Sequence, residues 1–404
     1  MPPLSIRSKL VLAVVGIMCV SGAASMVLVR SLYARSARGA AEEALRSAAA
    51  AYQELERQYQ ARMAALLDVL VLHPGLQEAF QARDRDRLQA VALPIHQALK
   101  KEHGIGHWNF VDAESRRMFL RVHLPAKRDD LVERPSLLKA MERRETSAGK
   151  ELGKSAFALR VGKPMYADGR LVGYLELGEE IEHFLGRMKE QTGNDFGMFM
   201  TKRLVDSSEW ARTRGGARNG WDDFPDVLLV NSTTGDPMVD QAAVTGVPPG
   251  GRTLDEESRA GSVYARAVFP VRDSSGSVVG GLVVRHDISA LHAAKQEGLL
   301  QAMAFFAALA LAASVLTWLL VDRLIFRRLK AMMGTMEDAS VRLAGGDFDV
   351  AAAVHSSQRD EIGHFETFFG EFLGLVGTTL RALVERKRQG ARAAAAPAHL
   401  APER

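Results

Sequence analysis

Two long apolar runs limit what this chain can fold into. Residues 10–29 and 299–321 are 20 and 23 residues long and contain no Asp, Glu, Lys or Arg. A helix of that length spans the ~30 Å hydrocarbon layer of a bilayer. For the first run a cleaved signal peptide is the alternative, but its length exceeds the usual apolar core of ~7–15 residues and a charged helical pattern follows it. The sequence therefore predicts two transmembrane helices with residues 31–298 between them.

Basic residues around the second run predict its orientation. Four of them follow it: Arg323, Arg327, Arg328 and Lys330. Only Lys295 and His292 precede it, beside Glu297. Because Lys and Arg concentrate on the cytoplasmic side of a membrane, we expect both termini, with residues 1–9, in the cytoplasm and residues 31–298 outside.

The composition excludes several kinds of function. The 52 Lys and Arg residues against 48 Asp and Glu give a formal net charge of +4, too small for a general nucleic-acid binder. The single Cys, Cys19, lies in the first apolar run, which excludes a disulfide framework and a Cys-rich metal site. The 11 His residues show no convincing pair at ligand spacing, and no Gly-rich phosphate loop or Ser/His/Asp arrangement is visible. We expect no cofactor, no metal and no enzymatic activity.

Periodicity predicts an α+β region between the two apolar runs. Apolar residues recur every seven positions, which indicates a helix seam that either pairs two protomers or packs on its own domain: Leu45, Tyr52, Tyr59 and Leu66. A break in the helix is expected at His73-Pro74-Gly75. Alternating segments then predict strands at 107–112, 117–124, 155–161 and 171–177, with a helix at about 179–191.

An internal repeat predicts that this region consists of two similar modules. Residues 164–177 (PMYADGRLVGYLEL) match residues 270–284 (PVRDSSGSVVGGLVV), with one extra residue in the turn of the second copy. The turn of the first copy contains Asp168-Gly169, which is typical of a β-hairpin. The match predicts a first module at about 104–192 and a second module at about 195–288.

The segment after the second apolar run has two heptad stretches joined by a connector that contains glycines. Residues 326–386 resemble the HAMP domain, the signal-converting module of bacterial receptors, through Leu343-Ala-Gly-Gly-Asp-Phe and Asp360-Glu-Ile-Gly. That family often has Pro just after the membrane helix, where this chain has Arg327-Arg328-Leu329. The resemblance implies a parallel four-helix coiled coil formed by a homodimer, with a signalling role for Asp360, Glu361, Ile362 and Gly363. We expect residues 387–404 to be disordered.

Residues 42–288 are similar to a double Cache domain, which is two PAS-like modules on a long membrane-anchored helix. The most distinctive segment is 119–125 (FLRVHLP), followed by Asp129-Asp130-Leu131 and Arg134-Pro135. This resemblance implies that a small ligand binds the membrane-distal module, in this chain the first one. It also implies a two-pass protein of the bacterial inner membrane, with the sensor region in the periplasm.

One strand face in the first module is a candidate ligand site. A strand over 117–124 would place Arg117, Phe119, Arg121 and His123 on one face. Because arginine binds carboxylates bidentately, we expect a pocket for an anionic small molecule. In it, Arg121 and Arg160 would hold the anion, His123 and Tyr166 would orient it, and Trp108 and Phe119 would form a wall. The alternative is a solvent-facing sheet in which Arg121 pairs with Asp129 or Asp130.

The resulting hypothesis is an α+β membrane protein that acts as a dimeric sensor. Fewer than 20 residues follow Arg386, too few for a kinase or cyclase domain. We therefore expect the HAMP-like unit to relay the signal to a separate output protein, a kinase or a chemoreceptor array, with membrane lipid as a further partner and no nucleic acid. The alternatives are a non-signalling periplasmic binding or scaffold protein, and an output-less receptor that titrates a full-length partner.

Overall fold

The computed structural model describes residues 6–153, 157–213, 219–236, 238–350 and 361–394. The chain divides into two compact units. One unit consists of Val29–Glu297, and we call it the sensor unit. The other consists of Met1–Leu28 and Gly298–Arg404, and we call it the helical unit.

Three helices begin the described chain, and the local sequence sets their ends. Helix α1 covers Ile6–Leu70, α2 covers Pro74–Gln81 and α3 covers Arg85–His103. The predicted break at His73-Pro74-Gly75 is confirmed, because Pro74 opens α2 and the His73 side chain accepts a hydrogen bond from the Leu76 N–H. Gly104, with φ of 74°, ends α3 in the left-handed conformation that favours glycine.

The first module is built on a five-stranded antiparallel sheet. Its strands are β1 (His107–Asp112), β2 (Met118–Arg121), β3 (Ser147–Leu152), β4 (Phe157–Ala167) and β5 (Arg170–Glu180), in the spatial order β2-β1-β5-β4-β3. Helix α4 (Pro135–Arg143) connects β2 to β3, and a 3-10 turn (Ile181–His183) and helix α5 (Phe184–Thr192) follow β5.

The structure corrects the predicted strands and helices of this module. Strand β2 ends at Arg121, because a turn closed by the Leu124 N–H and the Arg121 carbonyl follows it. Strand β5 continues to Glu180, so the helix expected from Glu179 begins only at Phe184. Residues 155 and 156 of the predicted strand 155–161 lie outside the described residues, and β4 begins at Phe157.

The second module repeats the topology of the first. Its strands are β6 (Asp195–Thr201), β7 (Val227–Ser232), β8 (Arg252–Arg259), β9 (Ser262–Arg272) and β10 (Val278–Asp287), in the order β7-β6-β10-β9-β8. A 3-10 turn (Lys202–Leu204) and the short helices α6 (Ser207–Thr213) and α7 (Gln241–Val244) connect them. The register agrees with the internal repeat: Arg160 pairs with Gly178 in the first sheet, and its counterpart Arg266 pairs with Arg285 in the second.

Helix α1 packs against one face of each sheet. The shared core contains apolar side chains from α1 and from both modules, including Tyr52, Leu55, Met63, Leu67, Leu177 and Leu282. The other seam positions of α1, Leu45, Tyr59 and Leu66, are partly buried against the same core. The seam therefore packs on its own domain, the second of the two alternatives left open by the sequence. Separate apolar clusters cover the opposite faces, around Leu137 in the first module and Val239 in the second.

The last helices of the chain are α8 (Ser289–Val321), a π-helical turn (Asp322–Phe326), α9 (Arg327–Ala344) and α10 (Glu361–Ala394). The glycines of the connector end α9 as predicted, with Gly346 at φ of 88°. Glu361, Ile362 and Gly363 open α10, whereas Asp360 lies outside the described residues. By length and composition, three helical stretches in the described chain could cross a membrane: those in Ser8–Leu70, Ser289–Ala344 and Glu361–Ala391. The sequence predicts only the first two.

Candidate ligand-binding site

The two faces of the first module's sheet differ in chemistry. In the sheet register, Asn109 of β1 lies opposite both Arg121 of β2 and Glu176 of β5. Arg160 of β4 and His107 of β1 both lie opposite Gly178, two residues beyond Glu176 on β5. Because side chains alternate between the faces of a strand, these residues share one face, which we call the polar face: His107, Asn109, Arg121, Arg160 and Glu176.

Glu176 is the hub of the polar face. Its side chain is fully buried and accepts two hydrogen bonds from Arg134, from Nε to Oε1 at 2.9 Å and from Nη2 to Oε2 at 2.7 Å. Asn109 Nδ2 donates to Oε2 at 2.6 Å, and Arg160 Nη1 lies 3.4 Å from the same oxygen. Burial alone would raise the pKa of Glu176, but the two guanidinium groups hold it below its ordinary value. Glu176 is therefore a carboxylate shared by two arginines.

Arg160 reaches Glu176 by lying across Gly178. A Cβ at Gly178 would come within 3.0 Å of Arg160 Nη1 and 3.2 Å of His107 Cβ, so a larger residue would force these side chains to shift. Burial lowers the pKa of the Arg160 guanidinium, and the Glu176 carboxylate partly offsets that effect. The glycine thus allows one more buried cation on the polar face.

Arg121 binds a carboxylate of its own chain. Its Nη1 and Nη2 donate to the two oxygens of Asp130 at 2.6 and 2.7 Å, and Nη1 also donates to the Lys127 carbonyl at 2.6 Å. The hydrogen bonds from Arg121 hold the pKa of Asp130 below its ordinary value. The pairing with Asp130 is the one named in the alternative interpretation. The Arg121 side chain is nevertheless only 11% exposed, whereas that of Asp130 is 47% exposed on the loop after β2.

Several buried polar atoms near this face are not satisfied by the protein. Within the described part of the chain, Arg160 Nε, Asn109 Oδ1 and Ser136 Oγ have no hydrogen-bond partner. Buried polar atoms are paired in most native proteins, so unpaired ones mark places where water or a ligand group binds. The polar face therefore has both a donor and two possible acceptors to offer a small molecule.

Two histidines border the polar face and are held in neutral form. His107 Nδ1 lies 3.2 Å from His123 Nε2, and the Trp108 N–H donates to His123 Nδ1 at 3.4 Å. Burial, with His107, His96 and the nearby arginines, lowers the pKa of His123 to about 3. Burial also lowers the pKa of His107, although Glu180 partly offsets this. Because His123 Nδ1 accepts, its proton lies on Nε2 and is donated to His107.

The structure brings together some of the residues predicted for the site and separates others. Arg121, Arg160 and His123 lie on or beside the polar face. Trp108 alternates onto the opposite face and is buried in the core. Phe119 has no partner in the β1–β2 ladder, and this bulge turns its ring onto Phe80 in the same core. Tyr166 is 42% exposed and lies six residues along β4 from Arg160, about 20 Å away at ~3.3 Å per residue.

Three residues of the site were missed by the sequence pattern. Glu176 stands in the apolar strand Tyr174-Leu-Glu-Leu, where a lone acid indicates a buried partner. Arg134 directly precedes Pro135, the first residue of α4, and Asn109 lies in the strand 107–112. A search for charged residues inside apolar strands could have found Glu176, but no local signal links it to Arg134, 42 residues earlier.

Elsewhere in the sensor unit, the charged side chains that line one cavity are paired within the protein. A cavity of about 400 Å³ is lined by Arg83, Arg85, Arg117, Asp112 and Asp129, but Arg83 pairs with Asp112, and Arg85 with Asp129. Arg117 donates to the Asp129 carbonyl at 2.6 Å. Among the described residues, no group of three or more His, Cys, Asp or Glu side chains is arranged to hold a metal ion.

The match to a known protein family lies in the region between the two apolar runs. A family profile, dCache_3, described as the double sensory domain of two-component sensor kinase, matches residues 38–292. No curated protein matches the chain.

Several solved structures match part of the chain. The ligand-binding domain of the Campylobacter jejuni chemoreceptor Tlp3, in complex with 4-methylisoleucine, is 12% identical over 65% of this chain and 94% of that chain, with a TM-score of 0.38. A domain of a Vibrio parahaemolyticus sensory box/GGDEF family protein is 14% identical over 63% and 97%, with a TM-score of 0.35. The E. coli DcuS sensor domain is 23% identical over 34% and 97%, with a TM-score of 0.28.

Proposed function

Since the chain belongs to the dCache_3 family of double sensory domains, we propose that it is a transmembrane receptor whose first module binds a small organic anion. Its helices relay that binding event across the bacterial inner membrane to a separate output protein. Sensing by the family's double module is the established part. The ligand class, the membrane topology and the relay are the proposal.

The proposed ligand class rests on Arg121 and Arg160, the two arginines of the polar face. Arg121 already holds a carboxylate in a two-hydrogen-bond fork, and that carboxylate belongs to Asp130, which is half-exposed on a loop. A ligand carboxylate has the same two acceptors, so it can replace Asp130 without leaving Arg121 buried and unpaired. Arg160 Nε and Asn109 Oδ1 can then bind a second polar group. The proposed ligand is therefore a small carboxylate with one further polar group, and Trp108, Phe119 and Tyr166 have no part in this site.

The relay is proposed from the helical unit. Helices α9 and α10 leave large apolar side chains exposed: Leu329, Met333, Met336, Phe365, Phe368, Phe372 and Leu375. A second copy of the chain can cover them in a parallel four-helix bundle, as the HAMP-like pattern of residues 326–386 implies. In this proposal Asp360, Glu361, Ile362 and Gly363 open the second helix of the bundle. Both termini are cytoplasmic, and the output passes to a kinase or a chemoreceptor array.

The ligand proposal is tested by thermal unfolding of the full chain in lipid nanodiscs, against a panel of small carboxylates, amino acids, inorganic anions and amines. A ligand at about 100 times its dissociation constant stabilises the folded state by ~2.7 kcal/mol, so the unfolding midpoint rises. Arg121→Ala removes the carboxylate fork and should abolish the rise. Arg117→Ala is the matched control, because it removes a neighbouring exposed arginine, and it should preserve the rise.

Two outcomes would contradict the proposal at different points. A rise that persists in both Arg121→Ala and Arg160→Ala would place the ligand outside the polar face. A flat panel with a well-folded chain would contradict small-anion sensing and favour sensing of a protein or of the membrane, or a scaffold role.

A further inference from the structure

The hairpin turn between β9 and β10 of the second module reaches the first module. The Ser274 N–H donates to the Lys150 carbonyl of β3 at 2.8 Å, and Lys139 Nζ of α4 donates to the Ser274 carbonyl at 2.9 Å. The Ser274 hydroxyl donates to Glu151 Oε1. One residue of the second module thus bonds to both β3 and α4 of the first.

The fit at this contact is close. Gly149 of β3 has no side chain, and a Cβ there would overlap the Ser274 side chain and come within 3.2 Å of Ser136 Cβ. The turn is held rigidly, since Asp273 Oδ1 accepts from the Ser275 and Ser277 N–H groups. This is the turn that is one residue longer than its counterpart in the first module. The additional residue lengthens the turn that contacts the first module.

Glu151 connects the hairpin contact to the ligand site. Its side chain is buried, and Oε1 also accepts the N–H of Ser136 at 2.9 Å. Ser136 is the second residue of α4, so the Glu151 carboxylate satisfies an N-terminal amide that the helix itself cannot pair. Arg134, which holds Glu176, directly precedes this turn of α4, and its carbonyl accepts the Leu138 N–H at 2.9 Å. A short chain of contacts therefore runs from Ser274 through Glu151 and α4 to Arg134.

We propose that Ser274 is a positioning residue for the ligand site of the first module and that, through Glu151, it couples occupancy of that site to the second module. The proposal rests on the proposed function for its ligand. A ligand that engages the polar face changes what Arg134 bonds to and shifts the first turn of α4, which alters the bonds that hold the hairpin. Because coupling between sites is reciprocal, loosening the hairpin also changes ligand affinity.

The positioning step is tested without any ligand, by amide hydrogen exchange of the full chain in lipid nanodiscs. Ser274→Ala removes a hydrogen bond to a buried carboxylate and should raise exchange of the first-turn amides of α4 about tenfold, while the strands of both sheets stay protected. Ser275→Ala is the matched control, since its hydroxyl bonds to Asp273 and Ser277 within the turn, and it should leave α4 unchanged. Unchanged exchange in α4 of Ser274→Ala, or a rise across both sheets, would overturn the positioning role.

A double-mutant cycle tests whether Ser274 acts through Glu151. If it does, adding Ser274→Ala to a chain that already carries Glu151→Ala should have little further effect on the hydrogen exchange of α4. Additive effects of the two substitutions would mean that Ser274 acts by another route and would overturn this step.

The coupling step uses the same ligand panel. An anion that stabilises the wild type should slow hydrogen exchange in α4 and change it in the β9–β10 turn, and only the second effect should disappear in Ser274→Ala. A turn that responds identically in wild type and Ser274→Ala would overturn the coupling. A panel without any binder would contradict the proposed function alone, since the ligand-free exchange result on α4 stands or fails independently of it.

Discussion

At the scale of single residues, three buried or partly buried histidines, one in α3 and two in the first module, should make the stability of the sensor unit depend on pH. Burial lowers the pKa of His96, His107 and His123 from 6.5, that of His123 to about 3. Between the folded and unfolded pKa values the unfolded chain binds more protons, so the free energy of unfolding falls as pH drops below about 6.5. The limiting slope is ~1.4 kcal/mol per pH unit for each histidine.

Urea unfolding of the full chain in lipid nanodiscs across this pH range, followed by a signal from the sensor unit, measures that slope. His123→Asn should flatten it, because the substitution removes the most strongly shifted group. The control is His364→Asn in the full chain, an exposed position in α10 whose loss should leave the slope unchanged. A slope that is unaffected by His123→Asn would show that His123 does not remain neutral in the folded state.

The sequence pattern predicted three residues that lie on or beside the polar face, but it missed the carboxylate at the centre of that face. It identified Arg121, Arg160 and His123 because charged side chains in an alternating segment stand out. It placed Trp108 and Phe119 in the same pocket, but Trp108 lies on the opposite face of β1 and a bulge turns Phe119 away. Neither feature can be predicted without the pairing register of the strands. Glu176 and its partner Arg134 meet only after α4 folds back onto the sheet, so no local pattern could have predicted their contact.

At the scale of elements, the internal repeat predicted the fold better than the hydrophobic periodicity of individual segments did. The two copies have the same strand order, and Arg160 and Arg266 occupy the same register. Strand β3 escaped prediction because Gly149, Lys150 and Glu151 break the apolar alternation. Contacts with the Ser274 side chain account for Gly149 and Glu151, whereas the Lys150 side chain pairs with Glu56 of α1. When the residues of a strand are chosen for contacts with another module, the strand pattern in its own sequence is weak.

Another prediction at this scale concerns the three elements joined by Tyr33 of α1. Its hydroxyl donates to Glu256 of β8 at 2.8 Å and lies 3.2 Å from His292 Nδ1 of α8. Burial, with Glu256 beside it, raises the pKa of Tyr33 to about 12, so the hydroxyl remains a donor. Tyr33→Phe keeps the ring beneath Lys295 and should lower the free energy of unfolding by about 1 kcal/mol.

Hydrogen exchange localises that effect. The first turns of α8 should exchange faster in Tyr33→Phe, because α8 loses its bond to α1. Tyr264→Phe serves as the control, since that ring lies under Arg285 and the substitution retains the ring. Equal exchange of α8 in Tyr33→Phe and wild type would mean that the hydroxyl does not join the helices.

At the scale of the whole molecule, the two modules share a topology but not a chemistry. The register places Val283 where the first module has Glu176, and Arg285 where it has Gly178. The second module therefore has no carboxylate at the hub position, and its arginines pair with acids from other elements: Arg285 with Glu257, and Arg266 with Asp240. This difference supports the assignment of ligand binding to the first module and of transmission to the second.

The membrane topology of the whole chain depends on whether α10 crosses the membrane. The first two candidate stretches each contain a run of 20 or more residues without Asp, Glu, Lys or Arg, whereas Glu361–Ala391 does not. The most apolar part of that stretch, residues 367–384, contains Glu371 and Arg381, and a charged side chain at the centre of a bilayer costs roughly 2.5–3.5 kcal/mol on insertion scales. We therefore expect α10 to stay in the cytoplasm and to cover its apolar face by dimerisation.

Thiol labelling of intact cells distinguishes the two topologies. In a Cys19→Ala background, single cysteines replace Ser275 in the sensor unit, Asp338 in α9 and Arg388 near the end of α10. Two spans predict that an impermeant reagent labels only the Ser275→Cys protein, because residues 338 and 388 both face the cytoplasm. Labelling of Arg388→Cys with Asp338→Cys protected would mean that α10 crosses the membrane. That result would exclude a cytoplasmic four-helix bundle and, with it, the proposed relay.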